Sequence, residues 1–212
     1  MSLPEKTIIY LIGMMGAGKT TTAPLISQHL GYGFTDTDRE VEKAKGKSCH
    51  EIVDQIGVDG FRILETQVLA EIAKRKRLVV ACGGGIILRD ENWRYLRQDN
   101  AVVVWLNLPL EEIHKRIKNE LRPNLRGLNS EQLTIKLEEI FENRKTLYAK
   151  LSDICIKAAP AETPEKLATK IIDELNNFYS FSEEMTGEQQ TGYQLWCSKQ
   201  MTLFPTPLGV KE

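Results

Sequence analysis

The segment Gly13-Met14-Met15-Gly16-Ala17-Gly18-Lys19-Thr20 fits the pattern G-x-x-x-x-G-K-[ST] and sits between an apolar run, Ile8–Ile12, and an amphipathic stretch, Thr20–Leu30. A buried strand, a glycine-rich turn and a helix, in that order, form the context in which this pattern has a physical meaning. The glycines let backbone N–H groups turn inward on phosphate oxygens, and the helix N-terminus adds partial positive charge. Lys19 is then placed to reach the β and γ phosphates and Thr20 to offer its hydroxyl to Mg²⁺. Gly16, Ala17, Gly18, Lys19, Thr20 and Thr21 are the expected ATP contacts. The competing reading is a glycine-rich turn with a solvated lysine. Pro24 falls past the first turn of the following helix. It removes a backbone hydrogen bond there at a cost of about 3 kcal/mol, so a kink is expected without loss of the loop.

Further apolar runs at Leu78–Ala81 and Ala101–Leu106 carry Val and Ile without polar alternation, as do strands buried on both faces of a parallel sheet. Asp153–Lys157 reads as a last strand. Between the runs, Asp59–Ala73 and Ser130–Lys150 read as helices, and Ser48-Cys49-His50-Glu51 has the capping-box form that opens another. Thr163-Pro164-Glu165 supplies an N-cap, a proline at the first helical position and an acidic first turn, for a helix expected to run to about Phe178. Alternating strands and helices predict an α/β sandwich with a parallel sheet. Residues 1–179 are read as one domain, and residues 180–212, rich in Glu, Gln, Thr, Gly and Pro without periodicity, as a mobile C-terminal tail.

Asp36-Thr37-Asp38 follows the expected second strand, at the edge of the sheet where α/β ligands bind. One carboxylate beside Mg²⁺ and a second accepting a hydrogen bond from the attacking hydroxyl would divide metal handling from nucleophile positioning. An Asx turn capping a helix at Arg39–Ala44 is the other reading of the same triplet. Cys82-Gly83-Gly84-Gly85 leaves the Leu78–Ala81 strand with room for a ligand to approach main chain, or simply as a tight strand exit. Arg62 and Arg144 are suited to a bidentate grip on a planar carboxylate. Arg122-Pro123 and Arg126 lie in a segment rich in Asn, Gly and Leu, about residues 119–129, which reads as a mobile lid that excludes water and brings positive charge to the transferring phosphoryl group.

Lys and Arg total 28 against 29 Asp and Glu, so the net charge of -1 creates no field that attracts nucleic acid or an anionic membrane. Cys49, Cys82, Cys155 and Cys197 are scattered without metal-ligand spacing and read as reduced thiols. No run approaches the roughly 18 apolar residues of a membrane span. The short polar N-terminus leaves no room for a targeting segment, and a cytoplasmic monomer is expected.

In the order G-M-M-G-A-G-K-T, D-T-D, D-G-F-R, C-G-G-G, L-R-P and R-K-T-L-Y, roughly residues 6 to 178 resemble the shikimate kinase family. The resemblance implies a P-loop NTPase-type three-layer sandwich, a five-stranded parallel sheet flanked by helices with a mobile lid. It implies transfer of the ATP γ phosphate to the 3-hydroxyl of shikimate, in aromatic amino-acid (chorismate) biosynthesis. By the same resemblance Thr20 and Asp36 serve Mg²⁺, and Asp38 holds the substrate hydroxyl and acts as base. Gly84 contacts the ring hydroxyls, Arg62 and Arg144 clamp the carboxylate, and Arg122 reaches the phosphates from the lid. The loop near Ala159–Thr163 borders the adenine. The sequence departs from the family pattern at Ala23-Pro24, in having no Arg between Lys157 and Lys166, and in Arg122-Pro123-Asn124-Leu125. A kinase of the same fold for another small hydroxylated acid, and a nucleotide-binding module without transfer, are the competing functional readings.

Overall fold

Five short runs of mostly branched or aromatic residues pair into one parallel sheet. They are β1 (Ile8–Ile12), β2 (Gly33–Asp36), β3 (Leu78–Ala81), β4 (Ala101–Asn107) and β5 (Ile154–Lys157), in the spatial order β2-β3-β1-β4-β5. The computed structural model describes residues 3–4, 7–117 and 128–184. Most of the expected lid with Arg122, and the segment from residue 185 onward, lie outside the described residues. Every residue of β1 and β3 is buried, which is why these strands read as unbroken apolar runs.

Seven helices connect and flank the strands among the described residues: α1 (Lys19–Leu30), α2 (Thr37–Lys45), α3 (Cys49–Ile72), α4 (Asp90–Leu96), α5 (Leu110–Ile117), α6 (Ser130–Leu151) and α7 (Pro164–Glu184). α1 packs against α7 and β3, whereas α4 and α6 pack on β4 and on a 3₁₀ turn at Ile86–Leu88. The core between them includes Ile26, Leu69, Leu137, Ile171 and Leu175. Tyr148 of α6 stacks on Trp105 of β4 with ring centroids 5.7 Å apart and planes inclined by 22°.

Local chemistry accounts for the helix ends. Ser48 accepts from the Glu51 amide while the Glu51 side chain bonds back to the Ser48 amide, so the capping box forms. Thr163 Oγ1 accepts from the Lys166 amide ahead of α7. One boundary differs from the sequence expectation. α7 does not end near Phe178 but continues to Glu184, into the segment read as tail. The two expected helices of residues 48–73 both form, and the label α3 covers the pair, which meet at a non-helical Gly57 whose φ of 74° and ψ of 172° lie where side-chain-bearing residues are not found. α1 continues through Pro24 to Leu30.

Candidate active site

The phosphate-loop glycines, the Asp36-Thr37-Asp38 triplet and the Gly83–Gly84 turn come together at the C-terminal edges of β1, β2 and β3. From these segments Gly16, Gly18, Asp36, Asp38, Gly83 and Gly84 line an open cleft of about 520 Å³ with Lys19, Thr20, Thr21, Arg116, Glu162, Pro164 and Leu167. Gly18, with φ of 94°, turns the loop into α1 in the left-handed region that favours glycine. Lys19 is buried, and its Nζ donates to the carbonyls of Gly13 at 2.9 Å and Met14 at 2.8 Å. The lysine therefore braces the loop. Gly16, Gly18, Thr20 and Thr21 line the cleft, while Ala17 is fully buried with its amide on the Met14 carbonyl.

Asp36 uses both carboxylate oxygens. Oδ1 accepts from the amides of Asp38 (2.9 Å) and Arg39 (3.4 Å), capping α2, and Oδ2 accepts from the Thr20 hydroxyl at 2.8 Å. The helix-cap reading and the phosphate-side reading of this residue are thus compatible. Thr37, fully buried, accepts from the Gly83 amide at 2.7 Å and ties the triplet to the β3 exit. Asp38 lines the cleft against Gly83: a Cβ on that glycine would lie 2.5 Å from Asp38 Oδ1 and 2.8 Å from Glu65 Oε1. Only a residue without a side chain lets both carboxylates approach.

Arg62 and Arg144 do not line the cleft but stand against its glycine turn. The Arg62 guanidinium occupies the space a side chain at Gly85 would need and pairs with Glu65. Arg144 Nη1 donates to the Gly84 carbonyl at 3.1 Å, and the Tyr148 hydroxyl donates to the same oxygen at 2.9 Å. Glu65 is fully buried. Burial pushes its carboxyl above the ordinary range, Arg62 opposes that shift, and the neighbouring Asp38 charge adds to it. Its Oε1 has no hydrogen-bond partner among the described residues.

Sequence reasoning did not single out Glu65, Thr37, Tyr148 or Arg116. Arg116, on α5, donates through Nη1 to the Gly16 carbonyl at 3.2 Å and lines the cleft beside the phosphate loop. A signal existed for its helix. Leu110, Ile113 and Ile117 recur at helical spacing between an acidic first turn and a basic last turn. Of the site residues the sequence nominated, the lid arginines Arg122 and Arg126 lie outside the described residues.

A phosphate loop at the edge of a five-stranded parallel sheet, with a carboxylate facing it and arginines behind, defines a P-loop kinase of small molecules. A family model described as "Shikimate kinase" matches residues 15–176. The chain is 42% identical over 176 residues to a shikimate kinase of Nostoc punctiforme, covering 83% of this chain and 94% of that protein. The chain belongs to the shikimate kinase family. Among solved structures, a shikimate kinase of Acinetobacter baumannii in complex with shikimate superposes with a TM-score of 0.75 at 34% identity, covering 85% of this chain and 96% of that one. The enzyme of Aquifex aeolicus gives a TM-score of 0.68 at 32% identity over 80% and 96% of the two chains.

Proposed function

We propose that the protein transfers the γ phosphate of ATP to the 3-hydroxyl of shikimate, giving shikimate 3-phosphate and ADP in the shikimate pathway of aromatic amino-acid biosynthesis. The observation that carries this reading is the position of Asp38, which lines one cleft with the phosphate loop and meets the glycine turn that Arg62 and Arg144 hold from behind. The shikimate-bound relative supports the choice of acceptor.

The chemistry follows from these groups. Gly16, Ala17, Gly18 and Thr21 present loop and helix N-terminus to the phosphates, and Lys19 exchanges its carbonyl partners for β and γ oxygens. The acceptor carboxylate is gripped by Arg62 and Arg144, and Gly84 meets the ring hydroxyls without a side chain in the way. Asp38 accepts the hydrogen bond of the attacking hydroxyl. As the bond from that oxygen to the γ phosphorus forms and the bond to the bridging oxygen of ADP breaks, the hydroxyl proton passes to Asp38 and from there to solvent.

Thr20 Oγ1 and Asp36 Oδ2, 2.8 Å apart, are hard oxygen donors of the kind Mg²⁺ takes, and they would hold it. When bound, the ion neutralises charge on the β and γ phosphates. Arg122, from the segment read as a lid, would add positive charge to the transferring group. The protein would act as a cytoplasmic monomer on small molecules, without nucleic acid or membrane. Among the described residues no helix is long and apolar enough to cross a bilayer.

The test mixes purified protein with MgATP and shikimate and follows ADP and phosphorylated product, with an acceptor-free control. Product should depend on shikimate, and Asp38→Asn should lower kcat by at least about 100-fold with little change in ATP binding. ADP release indifferent to shikimate, or full turnover in the variant, would overturn the assignment.

A further inference from the structure

We propose that Tyr148 is a positioning residue that locks the Arg144 guanidinium and the Gly84 carbonyl to each other, setting the distance between the two ends of the acceptor site. The inference rests on the acceptor-site reading of Arg144 and Gly84 given above.

Tyr148 has no exposed surface, and its ring is held by the stack on Trp105 in the central part of the sheet. Its hydroxyl therefore sits at a defined point, where it donates to the Gly84 carbonyl at 2.9 Å. Arg144 lies four residues earlier on α6, on the same helix face, and donates to the same carbonyl at 3.1 Å, with its guanidinium against the Tyr148 hydroxyl. A carbonyl oxygen has two lone pairs, and these two donors fill them. Burial keeps the phenol protonated by pushing its pKa up, so the donor role is stable across the working pH range.

The neighbouring contacts make this oxygen a consequential one. The Gly83 amide is held by Thr37 and the Gly83 carbonyl by the Ile86 amide, so the Gly84 carbonyl is the remaining handle by which the turn is oriented from the α6 side. An arginine with several accessible rotamers loses that freedom when its guanidinium rests on a phenol fixed by stacking. The carboxylate grip and the hydroxyl-facing turn then move as one unit, and an acceptor is measured by the spacing between them.

Tyr148→Phe keeps the ring and its stack and deletes only the hydroxyl. The kcat/KM for the acceptor should fall about 5- to 20-fold, the range for a lost buried hydrogen bond with its orienting effect, while the KM for ATP stays within about twofold. Arg144→Ala is the parent background for a double-mutant cycle. Because Tyr148 holds Arg144 and the Gly84 carbonyl to each other, adding Tyr148→Phe to Arg144→Ala costs clearly less than Tyr148→Phe does in the native background. Additive losses, an equal loss for ATP, or an unchanged acceptor kcat/KM in Tyr148→Phe would overturn the positioning role. An Arg144→Ala variant with an unchanged acceptor KM would instead overturn the acceptor-site reading and this inference with it.

Discussion

Asp36 does two jobs with one carboxylate, capping α2 through Oδ1 and meeting Thr20 through Oδ2. Its two readings from sequence look exclusive only while the side chain is treated as a single point. Glu65 was illegible for a different reason. An Arg and a Glu three residues apart on a helix describe an ordinary surface pair, and only the approach of the Gly83 turn turns that face inward. The buried carboxyl carries a stability prediction. Burial raises its folded-state pKa above the ordinary 4.5, so the folded protein holds that proton more tightly than the unfolded chain does. The stability this group contributes is fully present below about pH 4.5 and is lost as pH rises through the higher folded value. Glu65→Gln does not titrate, so its Tm should gain on that of the native protein with rising pH. Parallel melts from about pH 4 to pH 8 would show the gain, and a Tm difference constant across that range would refute the displaced titration.

Among the elements, β1 and β3 were legible to the residue because strands buried on both faces show no alternation to misread. α4 was not. It spans seven residues and its N-cap, Arg89, makes no side-chain cap, so neither length nor punctuation marks it. The expected end of α7 failed because a polar composition was taken for a stop, whereas no Gly or Pro occurs between Phe178 and Gly187 to break the helix. At Gly57 the sequence gives two helical patterns and the backbone leaves the helical region between them, as the patterns require. A Cβ there would meet nothing within 4 Å, as would one at Gly46, so neither substitution has a packing cost. Gly46 lies in the ordinary left-handed region with φ of 65° and ψ of 22°, while Gly57 has ψ of 172°. Gly57→Ala should therefore be the more damaging, by about 1–3 kcal/mol or roughly 2 to 10 °C in Tm. A smaller loss than that of Gly46→Ala would mean that α3 can straighten without penalty.

At the scale of the whole molecule, the cleft is lined by residues 15, 16, 18–22, 36, 38, 82–84, 116, 162, 164 and 167, pieces that meet only when the sheet has formed in its order β2-β3-β1-β4-β5. The unfolded chain has no equivalent site, so nucleotide affinity is linked to global stability. At a MgATP concentration of about 100 times its Kd the folded state gains about 2.7 kcal/mol. For a chain of this size that corresponds to a rise of about 5 to 10 °C in Tm. Lys19→Met separates this linkage from general effects on the fold, since it keeps the buried stem and removes the ammonium that now rests on Gly13 and Met14. The variant should melt cooperatively, with a Tm that MgATP no longer raises. An undiminished shift would place the nucleotide somewhere other than the phosphate loop. Loss of the shift with an intact melting transition would tie the ligand to the one edge of the sheet where β1, β2 and β3 deliver their chemistry together.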